Sequence, residues 1–316
     1  MPRRFLFISD LVANGRDDRW VRRAESAGDL VRVRRGVYLA ADDHERLDKR
    51  WRHIAAVTAL VSRIRTPIIV SHLSAAALWG FPDLDGWPAE IHVIDPARTT
   101  GKRTTTVARH PGPVDTGCVL RRGILCTGAA RTAVDVGLVG GFLPALLAFD
   151  YGLRANLFSM VELEIAVAAR PGARGVREVR EALHLASAGS ESAGESISKG
   201  TMHRLGFPRP LQQKRFRLPG GRSAYVDFWW ESEGIVGEFD GDQKYLDPAL
   251  RQGRSIERTL LQEKERSDAV SALPEVRNLV RWKYATARNP SRLEEVLRSA
   301  GLPQADAPRS GREWRD

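Results

Sequence analysis

The residues of this 316-residue chain best suited to chemistry are carboxylates set into strand-like runs in its last third. In Tyr225-Val226-Asp227-Phe228-Trp229, Asp227 shares a strand face with Tyr225 and Trp229. In Gly237-Glu238-Phe239-Asp240-Gly241, Glu238 and Asp240 share one face, because strand side chains alternate with period two. A hairpin joining the two runs brings Asp227 near Glu238. Two carboxylates held together repel and cost stability unless a cation sits between them, and hard oxygen ligands suit Mg2+ or Mn2+. Glu195, on a preceding helix, supplies a third acid, and Lys244 follows the second strand. Such a set holds metal, polarises a phosphodiester and activates water, with Lys244 stabilising charge on the nucleophile or the phosphorane. The expected catalytic set is therefore Glu195, Asp227, Glu238, Asp240 and Lys244, with Asp227 and Glu238 as metal ligands. Plainer readings stand beside it. A strand acid between aromatic residues is commonly a solvated edge position, Glu195 and Lys199 make an i,i+4 helix pair, and Glu263 to Asp268 reads in part as a solvated helix face.

The elements that must position these acids follow a small, polar stretch, Ala186 to Gly194, which marks a domain boundary. The pattern then predicts a helix over Glu195 to Leu205, strands over Gln212 to Leu218, Ala224 to Trp230 and Gly234 to Phe239, a helix over Leu250 to Ala272, a strand over Val276 to Trp282 and a helix over Ser291 to Ala300. Gly220-Gly221 is a hairpin turn, with no following helix to make a phosphate loop. Of Trp229 and Trp230, one is expected in the core and one is a candidate for stacking on a base.

The opposite end offers cations. Phe5 to Ala13 and Arg16 to Ala27 read as helices ended by Asn14-Gly15 and Gly28. Leu30 to Arg34 alternates apolar and basic residues, Arg35-Gly36 turns, and Val37 to Leu39 returns, the layout of a winged helix-turn-helix. Arg16, Arg19, Arg22 and Arg23 on the helix and Arg32, Arg34 and Arg35 on the ribbon are the candidate DNA contacts. Between the two ends lies an α/β middle region with helices expected over Trp51 to Ile64 and Ser71 to Trp79. Strands are expected there over Glu90 to Ile94, Thr104 to His110 and Val119 to Cys126. Within it, His72 is expected to serve at a helix start, as a capping position, and Arg131 with Asp135 as a structural i,i+4 pair.

Composition agrees with a folded, basic, multi-domain chain. Hydrophobic residues make up 42% and charged residues 28%, far from a disordered composition. The 49 Lys and Arg against 39 Asp and Glu give a formal charge of +10, which favours an anionic partner, most simply nucleic acid. Two cysteines indicate neither a disulfide framework nor a zinc site. The absence of a signal-like core or a membrane-length apolar run points to a cytoplasmic protein with no membrane partner.

The series Glu195, Val226-Asp227-Phe228, Glu238-Phe239-Asp240-Gly241 and Glu263-Lys264-Glu265-Arg266-Ser267-Asp268, followed by Val280-Arg281-Trp282, resembles the nucleases related to very-short-patch repair endonucleases, in the restriction-endonuclease-like PD-(D/E)XK superfamily. The resemblance covers residues 190 to 300 and implies an αβββαβ core, Mg2+ dependence and DNA cleavage. On it, Asp227 matches the metal-binding aspartate, Glu238 the second acid, Glu195 the acid of the first helix, and Arg266 and Asp268 polar positions of the later helix. Where the superfamily has Lys, two residues after the second acid, this chain has Asp240. That leaves three readings: a lysine displaced to Lys244, Asp240 as a further metal ligand, or a degenerate site. Upstream, Gly28 to Tyr38, Ser71-His72-Leu73-Ser74-Ala75-Ala76-Ala77-Leu78-Trp79-Gly80 and Thr127 to Asp135 resemble the AbiEi family of antitoxins over residues 1 to 185. That resemblance implies DNA binding by the first domain and a transcriptional or antitoxin role; a cognate toxin is the partner an antitoxin role would call for, which the resemblance itself does not establish.

The expected architecture is a winged helix-turn-helix at 1–45, an AbiEi-like α/β domain at 46–188, a restriction-endonuclease-like αβββαβ domain at 189–300 and a flexible tail at 301–316. The expected function is metal-dependent endonucleolytic hydrolysis of DNA. The alternative is a non-enzymatic antitoxin or repressor that keeps a degenerate nuclease fold.

Overall fold

The computed structural model describes residues 5–64, 68–97, 99–112, 117–241 and 256–304, as a mixed α/β protein with three sheets among those residues. Two compact units divide the chain: Met1–Gly152 with Asn156–Glu181, and Leu153–Ala155 with Ala182–Asp316. The expected boundary at 45/46 separates no compact units, because the helix over Lys49–Val61 packs against the strand Leu30–Arg34. Lys244 and residues 305–316 of the expected tail lie outside the described residues. Residues 301–304 belong to the fold: Leu302 is buried, and its amide bonds back to the Leu297 carbonyl at 3.1 Å.

The first unit opens with β1 (Leu6–Phe7), α1 (Ile8–Ala13), α2 (Asp18–Ala27), β2 (Leu30–Arg34) and β3 (Val37–Ala40). The expected helix over Phe5 to Ala13 begins instead as strand, because Leu6 and Phe7 pair with Tyr38 and Val37. Asp17 caps α2 by accepting the Trp20 amide at 2.8 Å, and Gly28 ends it in the left-handed region at φ 83. Leu11, Val21, Ala24, Leu30 and Tyr38 form the small core beneath this three-stranded sheet, ordered β1-β3-β2.

The chain continues through α3 (Ala41–Glu45), α4 (Lys49–Val61), β4 (Ile69–Val70), α5 (His72–Trp79), β5 (Ile91–Ile94), β6 (Lys102–Arg103), β7 (Val107–His110), β8 (Val119–Arg121) and β9 (Ile124–Cys126). The six strands from β4 to β9 make one sheet in the order β6-β7-β5-β4-β9-β8, with β5–β7 and β4–β9 parallel and the other neighbours antiparallel. Of two strands expected as continuous, Val119 to Cys126 is a hairpin, and Thr104 to His110 begins in the turn between β6 and β7. Thr104 turns the chain by accepting the Val107 amide on its hydroxyl at 3.1 Å, and Arg122-Gly123 turns it at φ 54 and 76. Ile54, Val57, Val70, Ala75, Ala77, Ile91 and Val93 lie in the core between sheet and helices. Helices α6 (Ala129–Gly140), α7 (Phe142–Arg154), α8 (Met160–Ala168) and α9 (Val176–Leu185) follow. No helix among the described residues is long and apolar enough to cross a membrane.

In the second unit, α10 (Ala193–Arg204) precedes β10 (Leu211–Arg217), β11 (Ser223–Trp230), β12 (Ile235–Asp240), α11 (Ile256–Ser271), β13 (Asn278–Lys283), α12 (Tyr284–Ala287) and α13 (Pro290–Ser299). The sheet order is β10-β11-β12-β13, antiparallel until β12 and β13, which run parallel. One face carries Phe228, stacked against Trp230 and Trp282 at centroid distances of 6.3 and 5.5 Å. Gly237 has no Cβ because one would meet Trp282 at 2.6 Å and Trp230 at 2.9 Å. On the same principle Gly194 of α10 leaves room for the Phe239 ring, and the Trp282 indole donates to Ser198 of α10 at 2.8 Å. Trp229 belongs to a second cluster with Phe216, Val236 and Val270. Both tryptophans are buried, at 3% and 2% exposure, and the Trp230 indole donates to the Pro208 carbonyl, so neither offers a stacking surface to a base.

Candidate functional site

The acids of the second unit meet where β11 and β12 part. Their antiparallel register runs from Trp230↔Ile235 to Phe228↔Gly237. Just beyond the last pair, the Asp227 carboxylate takes the role of a strand carbonyl and accepts the Phe239 amide at 2.8 Å. Its other oxygen accepts from the Gln213 side-chain amide at 3.2 Å, and the same nitrogen reaches Glu195 at 3.3 Å. Gln213 does this from a backbone φ of 53, the left-handed region, in the middle of β10 and in line with Asp227 across the strand pair. A non-glycine residue held there costs on the order of 1–2 kcal/mol and marks a site where surrounding contacts impose the geometry.

Glu195 occupies the third position of α10, whose N-cap Ser192 accepts the Glu195 amide and donates its hydroxyl back to the Glu195 carboxylate at 2.8 Å. The Glu191 amide donates to the other oxygen at 2.8 Å. Helix-start chemistry thus fixes this acid, 5% exposed, facing the sheet. Burial raises its pKa above the ordinary carboxylate value, the nearby Asp227 charge raises it further, and the donors from Glu191, Ser192 and Gln213 work against both.

Glu238 is 4% exposed and lies between two cations. Arg266 of α11 donates to its two oxygens at 2.9 and 3.0 Å, and Arg281 of β13 donates at 3.2 Å from the residue directly in register with it. Burial raises the Glu238 pKa, Arg266 and Arg281 hold it back, and Asp227 and Asp240 push it up again. Asp227, Glu238 and Asp240 therefore share one electrostatic environment, and Glu195 joins it through Gln213 and Asp227. Asp240 stands in register with Lys283. Lys264, Glu265 and Asp268 are exposed on α11, as a solvated helix face requires.

The carboxylates here are hard oxygen donors, but among the described residues no three of them bring a ligand oxygen within 4.8 Å of one another. Carboxylate oxygens offer two lone pairs each. Among the described residues, both Asp227 oxygens and one Glu238 oxygen have a single bonded donor. Mg2+ characteristically takes one or two carboxylates and completes its shell with water and phosphate oxygens.

In the first unit, Arg16, Arg19, Arg22, Arg23, Arg32 and Arg35 are exposed, and Arg34 is half-buried, with burial lowering its pKa. Arg22, Arg32 and Arg35, with Arg63, line one cleft of about 400 Å³ beside Asp18 and Glu25. Arg16 instead covers the Trp20 ring at 3.9 Å. Arg131 and Asp135 form the expected pair, at 2.8 Å, with Asp135 buried.

His72 does not cap α5. Ser71 is the N-cap and makes no side-chain cap bond, while His72 takes a φ of 49 and bonds the Ser71 hydroxyl through Nδ1 at 2.9 Å. Its ring stacks on His110 at 3.6 Å and lies 5.9 Å from His92. Burial pulls the pKa of His92 down to about 4 and lowers those of His72 and His110, so all three rings are neutral at pH 7. Sequence reading missed this group because residues 72, 92 and 110 carry no spacing signature.

Comparison with known proteins finds relatives of this same length class. The "Uncharacterized protein Rv2248" and the "Uncharacterized protein MT2308", both of Mycobacterium tuberculosis, are each 33% identical to this chain over 224 residues, covering 70% of it and 78% of the relative. A search of solved structures finds the crystal structure of the RV2827C protein from Mycobacterium tuberculosis, 18% identical, at a TM-score of 0.37 over 56% of this chain and 72% of that one. Likeness at that level carries no argument. No family model matches the chain. With a third of its residues shared over most of both molecules, the chain belongs to the same family as these Rv2248 and MT2308 proteins.

Proposed function

We propose that this protein binds DNA through its first unit and hydrolyses DNA phosphodiester bonds, with Mg2+ or Mn2+, at the carboxylates of its second. The observation that carries the reading is that Asp227 and Glu238 stand on adjacent strands where β11 and β12 part, each close enough to act electrostatically, with Glu195 tied to Asp227 through Gln213. The order helix, three strands, helix, strand supports a restriction-endonuclease-like core, and the helix pair followed by the β2–β3 ribbon supports a winged helix-turn-helix. Both agree with the very-short-patch-repair-like and AbiEi-like resemblances.

In this reading Asp227 and Glu238 hold the metal, which when bound supplies positive charge to the scissile phosphate and lowers the pKa of water. Gln213 and the Phe239 amide fix the Asp227 carboxylate in place. Arg266 and Arg281 counter the rise in the Glu238 pKa that burial imposes. Lys283 stands in register with Asp240, the position where the superfamily has lysine.

One observation favours the regulator reading: both Glu238 oxygens are already neutralised by arginine, as expected of an acid kept for structure. A cleavage assay on duplex, mismatched and single-stranded DNA, with Mg2+, Mn2+ or chelator, separates the two. The nuclease reading expects metal-dependent cutting that Asp227→Ala abolishes while DNA binding survives. Persistent cutting by Asp227→Ala overturns the site assignment. Binding without cutting, in which Arg32→Ala and Arg35→Ala each reduce the slope of log affinity against log salt by about 0.9, moves the function to repression.

A further inference from the structure

Three histidines from three separate elements meet inside the first unit. His92 lies on β5 and His110 on β7, and their parallel register, His92↔Ala108 and Ile94↔His110, puts both on one sheet face, two positions apart. His72, at the start of α5, closes over them. One ligand nitrogen from each lies within 4.8 Å of the others, and among the described residues no other group of three His, Cys, Asp or Glu does so. His72 and His92 are 8% and 4% exposed.

Mutual hydrogen bonding does not account for the cluster. His92 Nδ1 and His110 Nε2 are 3.0 Å apart, and His72 Nδ1 bonds Ser71, but His92 Nε2 is buried with no partner. A buried polar nitrogen left unsatisfied is costly, and a non-glycine residue at φ 49 adds strain at the same place. Apolar side chains would fill this volume with no unsatisfied polar nitrogen.

We propose that His72, His92 and His110 form a binding site for one borderline divalent transition-metal ion of the Zn2+ type. Three neutral imidazoles are the donor set of zinc sites that keep an open fourth position, and nitrogen-only ligation selects against Mg2+ and Ca2+. The Ser71 hydroxyl on His72 Nδ1 supplies the outer contact that orients a ligating ring and leaves Nε2 for the metal. The charges that act on the cluster are Arg131 and Arg170 on His72 and Arg103 on His110, with Arg131 paired to Asp135 and Arg103 to Glu90. With those two arginines paired, the fourth position is open to water, hydroxide or an anion such as phosphate.

The test uses the full chain stripped with chelator and titrated with Co2+ as a visible probe, then with competing Zn2+. The expected result is one equivalent bound with d–d absorption typical of nitrogen ligation, unchanged in Asp227→Ala. His92→Ala and His110→Gln each weaken it by at least about 100-fold, more than loss of an outer-shell contact does. If these variants fail to fold, nitrogen-15 spectra of the wild-type imidazoles decide: Zn2+ shifts three of the seven histidine rings. Absence of Co2+ and Zn2+ binding, retention of full affinity in the folded variants, or unshifted histidine signals overturns the proposal.

Discussion

Arg266 grips both carboxylate oxygens of Glu238, at 2.9 and 3.0 Å, while its other terminal nitrogen holds the Tyr225 carbonyl at 2.7 Å. The pair ties α11 to β12 and β11 at once. Arg266→Ala leaves a buried carboxylate with Arg281 alone and is expected to cost about 3 kcal/mol in urea unfolding. Glu238→Gln costs less, because the two arginines keep about a third of their side chains exposed and turn to solvent. The pH dependence has a definite sign. A carboxylate whose folded pKa is raised contributes stability present below its unfolded pKa and lost as pH rises through the folded value. Removing Arg266 raises that value further, so the deficit of Arg266→Ala is expected to shrink as the medium becomes acidic. A pH-independent deficit contradicts it.

Gln213 combines a strained backbone with bonds to Glu195 and Asp227. Gln213→Ala loses the bonds and keeps the strain, whereas Gln213→Gly loses the bonds and relieves it. Chemical denaturation is expected to find the glycine variant more stable than the alanine variant by about 1 kcal/mol. The opposite order would show that the φ of 53 is not strained.

Gly194 faces the Phe239 ring so closely that a Cβ would lie 1.9 Å from it. Gly194→Ala is expected to destabilise the second unit by about 3 kcal/mol, and Phe239→Leu in the same chain to recover part of the loss. Thermal melting of the two single variants and the double variant reads the coupling; strict additivity rejects the contact.

His53 bonds the Pro88 carbonyl at 3.0 Å and the Ser74 hydroxyl at 2.9 Å, and burial lowers its pKa to about 4. The unfolded chain, with an ordinary histidine near about 6.5, binds more protons over that interval, so stability from this group is present above about pH 6.5 and lost as pH falls through about 4. The full effect is on the order of 3 kcal/mol. His53→Gln is expected to flatten this part of the acid limb in denaturant titrations taken at successive pH values; an unchanged limb assigns the acid sensitivity elsewhere.

Much of the second unit is legible in the sequence because alternation, turn glycines and helix caps act locally. Asp227 and Glu238 emerge from strand periodicity alone, and the body of α10 from its helical run, while its Ser192 cap lies in a stretch read as a boundary. Three things are not legible, each for a topological reason. The Arg281 contact with Glu238 exists because β13 runs parallel to β12, and no local pattern sets that register. The role of Gln213 arises from a backbone distortion that LQQKRF does not announce. The histidine cluster depends on β5 lying beside β7 although an extra strand, β6, intervenes in sequence. Conversely, the apolar run from Phe5 reads as helix because periodicity cannot tell a short buried strand from a helix start.

The parallel pairing of β12 with β13 also orders events in time. Gly237 meets Val280, and Glu238 meets Arg281, only after more than 35 intervening residues have left the ribosome and returned to the sheet. Hairpins β10–β11 and β11–β12 close through local contacts first, and loop closure delays the parallel strand. Until it docks, Glu238 lies in a half-built sheet without Arg281, and its charge opposes burial of β12. Of the two arginines that neutralise it, Arg266 comes from α11 and Arg281 from the last strand of the sheet, so the carboxylate rewards completion of the domain over compaction of an unfinished one.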